Sequence, residues 1–89
     1  MNGTQQLLYA LHGMDQFYFD LVGDVAANDL VGHGCASEDE AREHCRFIAQ
    51  RIGTEKPEMA RRGYYISVRD KAGHEIYRAP ITSALNVSA

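Results

Sequence analysis

Between Ser37 and Gly53 the chain spells out one amphipathic helix, and that segment constrains everything around it. Ser37 stands where an N-cap hydroxyl is needed, and Glu40 follows three residues later, the pairing of a capping box. Glu38, Asp39 and Glu40 put negative charge at the positive end of the helix dipole. Ala41, Cys45, Ile48 and Ile52 fall on one face, while Arg42, Glu43, Arg46, Gln50 and Arg51 turn away from it. Phe47 lies off the apolar stripe. Gly53 reads as the stop, which predicts a helix over 38–52. A helix with a single apolar stripe must bury it against another layer.

The flanking segments supply that layer. Gln16 to Val22 reads QFYFDLV, with Phe17, Phe19 and Leu21 alternating against Tyr18, Asp20 and Val22, the period of a strand. Gly23-Asp24 is a turn signal, and residues 25–31 (VAANDLV) read as a weaker second strand returning as a hairpin. Gly32-His33-Gly34 reads as loose or bulged. After the helix, Pro57 opens a short turn that ends at Gly63. Tyr64, Ile66 and Val68 then alternate along a third strand. Asp70-Lys71-Ala72-Gly73 is a turn, and Glu75–Ala79 is the return strand, with Pro80 suited to its end or to a sheet edge. The order is ββαββ: a small two-layer α+β domain whose antiparallel sheet is packed by one main helix. Its expected core is Phe17, Phe19, Leu21, Ala41, Cys45, Ile48, Ile52, Ile66, Val68 and Ile76. The expected division is a single domain over 14–81, an extension over 1–13 and a flexible tail over 82–89. Within the extension, residues 4–12 read as an arm or short helix, with Thr4 as cap, Leu7, Leu8 and Leu11 on one face and Gly13 as stop.

At 89 residues the chain has room for one thin core. Its net charge of −3 is unevenly placed. Residues 1–41 carry seven acids and no Lys or Arg, whereas 42–89 carry all nine bases and five acids, so the halves are −7 and +4. That pattern excludes a uniformly basic nucleic-acid binder. No apolar run approaches the ~20 residues of a membrane-spanning helix. The N-terminus lacks the basic n-region and long apolar stretch of a secretory signal. The expected location is therefore cytoplasmic, with Cys35 and Cys45 as reduced thiols.

Three motifs carry a family likeness. They are Phe17-Tyr18-Phe19-Asp20-Leu21; Asp29-x-x-Gly32-x-x-Cys35-x-Ser37-x-x-x-Ala41-Arg42; and Ile66-x-Val68-Arg69-Asp70-x-x-Gly73-x-x-Ile76. Across about residues 15–79 the chain resembles a family of small bacterial proteins, found in rhizobia and related alphaproteobacteria and described only as a domain of unknown function. A larger apolar residue usually stands there at the Cys35 position. The resemblance supports ββαββ and implies no activity.

Candidate chemistry is sparse. His33, Cys35, His44 and Cys45 are donor types that zinc accepts, but no C-x-x-C pair is present and the spacing is poor. Burial as small core residues is the favoured reading for both cysteines. The same cysteines with His12, His33, His44 or His74 offer the residue types of a Cys–His nucleophile, which needs an exposed thiol with a lowered pKa. Asp20 and Asp29 can face each other across the first hairpin, although solvated acids on a strand are the favoured reading. Gly32-x-Gly34 lacks the third glycine and the lysine of a phosphate loop. Arg42, Arg46, Lys56, Arg61 and Arg62 with Tyr64 and Tyr65 are the material of a basic-aromatic patch for single-stranded nucleic acid, set against the acids of the first half. No cofactor is expected. The thin core, the charge split, the off-stripe Phe47 and the apolar arm favour a non-enzymatic module that associates with itself or with another protein.

Overall fold

In the computed structural model, residues 14–82 are described. The elements run β1 (Asp15–Val22), β2 (His33–Cys35), α1 (Glu38–Glu55), α2 (Pro57–Arg61), β3 (Tyr65–Arg69) and β4 (Glu75–Pro80). The strands form one antiparallel sheet in the order β2-β1-β3-β4. One face of that sheet receives α1, with α2 packed beside it. The two-layer α+β architecture expected from the alternations is therefore present. The expectations for residues 1–13 and 83–89 lie outside the described residues.

The capping box forms. Ser37 Oγ accepts a hydrogen bond from the Glu40 N–H at 3.1 Å. The Glu40 carboxylate reaches back to accept from the Ala36 N–H, one residue before the cap. The far end of α1 differs from expectation. Gly53 does not stop the helix but lies buried within it, and α1 continues to Glu55 with Lys56 as C-cap. Its buried seam is Ala41, Cys45, Ala49 and Gly53. Ile48 and Ile52, expected at the centre of the core, are only half-buried flanks of that seam. The physical reason is close approach: four small residues one turn apart let the helix axis sit near the sheet, so the larger side chains splay to either side.

The second strand is the main correction. Residues 25–31 do not form it. The strand is His33–Cys35, paired as Asp15↔Cys35, Gln16↔Gly34 and Phe17↔His33. Segment 23–32 is a loop whose backbone pairs with β1 through one isolated bridge, with Leu21 and Ala27 exchanging two hydrogen bonds at 2.9 Å. Two glycines shape this loop. A Cβ on Gly23 would lie 2.4 Å from the Tyr64 ring, so that ring packs directly against the backbone. The Tyr64 hydroxyl then accepts from the Val25 N–H at 3.0 Å. Gly32 has φ +83, the left-handed region, and returns the chain into β2.

The core is Phe17, Cys35, Ala41, Cys45, Ala49, Tyr64, Ile66, Val68, Ala79 and Ile81. Phe19, Leu21, Ile48, Ile52 and Ile76, expected inside, are partly buried and pack against it. Ile66 and Val68, on a central strand beneath α1, are the largest fully buried side chains. Ile66→Ala is predicted to cost about 2–5 kcal/mol by chemical denaturation, and half-buried Ile48→Ala distinctly less. Equal losses at the two positions would contradict this placement of the core.

Candidate functional site

Two side-chain clusters stand out, one on each face of the sheet. The face turned away from α1 carries Tyr18, Asp20 and Val22 from β1 and Tyr65, Ser67 and Arg69 from β3, as strand alternation requires. Asp20 is only 6% exposed, which corrects its expectation as a solvated acid. Its carboxylate accepts from Arg69 Nε at 2.6 Å and Arg69 Nη2 at 3.3 Å, and from the Asp29 N–H at 2.9 Å. The Arg69 guanidinium also lies 5.3 Å from the centre of the Tyr18 ring. Beside it, Ser67 donates to Glu75, Glu75 holds Arg78 at 2.9 Å, and Arg78 covers Tyr65 at 4.5 Å.

Asp29 completes the first of these networks. Its carboxylate accepts from the Phe19 N–H at 3.1 Å and from the N–H groups of Val31 and Gly32 at 3.0 Å each. One side chain thus satisfies the β1 edge where no neighbouring strand does, and shapes the turn into β2. Asp20 and Asp29 do come together, but not as an acid/base pair. Burial disfavours the charge on Asp20, yet the Arg69 guanidinium and the Asp29 N–H outweigh it and hold the carboxyl below its usual range. For Asp29 burial is likewise outweighed, here by the N–H groups of Gly32, Phe19 and Val31 and by Arg69. Both are ionised acceptors with their lone pairs engaged.

The second cluster lies between β2 and α1. The His33 and His44 rings stack with centroids 4.3 Å apart and planes 9° from parallel. Phe19 meets both edge-on, at 6.4 and 5.0 Å, and Phe47 lies 6.1 Å from His44. Burial and the neighbouring His33 lower the pKa of His44, against a smaller opposing pull from Glu40.

The zinc candidates are placed differently from a metal site. His33 and His44 meet ring face to ring face, so their in-plane nitrogen lone pairs do not converge on one point between the rings. Cys35 and Cys45 are buried in the core, and the Cys45 thiol donates to the Ile66 carbonyl at 3.4 Å. Burial pushes Cys45 up to about 11 and raises Cys35 as well, so both are protonated thiols rather than ligands or nucleophiles at neutral pH. Among the described residues, no three His, Cys, Asp or Glu side chains gather as a metal site.

Of the basic-aromatic residues only Arg62 and Tyr64 meet, with the guanidinium 5.8 Å from the ring centre, and the rest are dispersed. Arg42 pairs with Glu38 and Asp39 on α1. Arg46 bonds the Tyr77 hydroxyl at 3.2 Å, and Arg62 bonds Asp24 at 2.8 Å. Tyr64 is in the core, Tyr65 is on the opposite sheet face, and Arg61 is exposed on α2. Arg69 and Arg78, which do lie over aromatic rings of the open face, already hold carboxylates.

A family model described as Domain of unknown function (DUF6894) matches residues 16–82. The chain belongs to this family. The matched DUF6894 stretch runs from the second residue of β1 through β4 and contains both clusters. No curated protein and no solved structure matches the chain. No helix among the described residues is long and apolar enough to cross a membrane.

Sequence reasoning missed the role of Arg69, and it grouped His33 with His44 only as zinc donors, not as a stacked pair. For Asp29 a signal existed: an acid three residues before a glycine is the pattern of a side chain capping its own turn. Asp29→Ala, which strands the N–H groups of Phe19, Val31 and Gly32, is predicted to cost about 1.5–3 kcal/mol. The pH dependence has a definite sign. Because the folded pKa of Asp20 and Asp29 lies below the unfolded value near 3.8, their stabilisation is complete above that value and is lost as pH falls through the folded values. Denaturation between pH 6 and 2 should show this fall, and it should shrink in Asp20→Asn. An unchanged acid profile in that variant would contradict the ion pair.

Proposed function

We propose that this DUF6894 chain is a non-enzymatic protein-interaction module that associates with a second copy of itself through the surface around β2, in the cytoplasm of an alphaproteobacterium. The observation that carries this reading is where the large apolar side chains remain in water. Leu30 is 88% exposed and Val31 80%, on the loop that leads directly into β2. Phe47 is 55% exposed on α1, next to the His33–His44 stack, and Met14 is exposed at the start of β1, beside Gly34 of β2. Single exposed apolar residues need no explanation, but several around one short edge strand mark an interaction surface. The loop is also well anchored, by Asp29 and by the Tyr64 hydroxyl, so these side chains are presented on a fixed backbone.

Enzymatic readings find less support. The ionised carboxylates are engaged by backbone N–H groups and Arg69, and the thiols are buried and protonated. A second copy also answers the thin core, because a small domain gains stability by burying more surface.

Sedimentation over a wide concentration range tests the proposal. The expected result is a dimer for the native chain and a monomer for Phe47→Glu and for Leu30→Ser/Val31→Ser, with the fold kept by circular dichroism. A monomer mass at every concentration would overturn self-association.

A further inference from the structure

We infer that the His33–His44 stack is a protonation-sensitive latch between β2 and α1, closed near neutral pH and opened by acid. β2 is only three residues long and forms the sheet edge, so it has few backbone bonds of its own. The ring stack is what joins its first residue to α1. Two neutral imidazoles stack well at 4.3 Å, whereas two imidazolium ions at that distance repel, and His44, the more buried of the two, must also shed water.

The surroundings offer a weak counter-charge. From α1 the charged group that acts on His44 is Glu40, one turn earlier, and its carboxylate is engaged by the Ala36 N–H in the capping box. β1 presents the uncharged Phe19, α1 adds Phe47, and β2 adds His33 itself and the protonated Cys35. Protonation is thus opposed by burial and by the partner ring, and only partly answered by Glu40.

The direction follows from linkage. Burial and the His33 ring lower the pKa of His44 while the latch is closed, and opening removes both causes. The open form therefore binds more protons, and acid favours it. Resting on the self-association reading above, the latch would also set the pH range in which Val31, His33 and Phe47 form one surface.

The test is an NMR titration from pH 8 to pH 5 on the full chain, following the imidazole signals and amide exchange across His33–Cys35. After correction for intrinsic rates, exchange in β2 is expected to rise as pH falls from 7.5 to 5.5, the direction that the lowered His44 pKa gives. His44→Phe keeps a ring on His33 without a second proton site and should abolish the rise; His33→Phe, which removes the partner charge but leaves His44 buried, should reduce it if the first variant fails to fold. Equal β2 protection at both pH values, or the same rise in the variants, would overturn the latch. Sedimentation at the same two pH values separates the two proposals. β2 opening in a chain that is monomeric throughout supports the latch and removes self-association alone.

Discussion

The ion pair between Asp20 and Arg69 is the interaction on which the open side of this domain depends. A two-layer fold covers one sheet face with helix and leaves the other to water. Here β1 places an acid in the middle of that second face, and it is buried rather than solvated. An uncompensated carboxylate at that position would be costly. Arg69, diagonally across on the neighbouring strand, supplies two hydrogen bonds and then lies over Tyr18. Arg78 repeats the arrangement with Glu75 and Tyr65. Salt-bridged arginines stacked on tyrosines thus take the place of a second helical layer.

The same pair organises the loop before β2. Asp20 receives the Asp29 N–H, which positions the Asp29 carboxylate to accept three backbone N–H groups, one of them from β1. The route runs from β3 through Asp20 to Asp29, and from there to the turn that launches β2. Fixing that turn is what places His33 against His44 and leaves Leu30 and Val31 outside. Structure and proposed function share this origin: the network that closes the open face also presents the apolar side chains at the opposite edge.

Much of this architecture was readable from the residues. Period-2 alternation located β1 and β3, the Asp70–Gly73 turn located β4, and the capping box located the start of α1, because these are local patterns. The end of α1 was not, since Gly53 costs a helix little when close packing against the sheet compensates. The second strand was misplaced for a related reason. VAANDLV looks extended, but its hydrogen bonds go to side chains and a single bridge, and the true strand HGC is too short and glycine-containing to announce itself. Arg69 and Asp20 are 49 residues apart and His33 and His44 lie on different elements, so only the fold brings them together.

A double-mutant cycle on Asp20 and Arg69, read by chemical denaturation, tests the central claim most directly. Arg69→Met alone leaves a buried carboxylate without its cation and is predicted to cost up to about 3 kcal/mol, the side chain of Arg69 being partly open to water. Adding Asp20→Asn removes that charge, so the double variant should lose at least about 1 kcal/mol less than the two single losses combined. Strictly additive losses, within about 0.5 kcal/mol, would show that the pair does not hold the face together and would contradict the account.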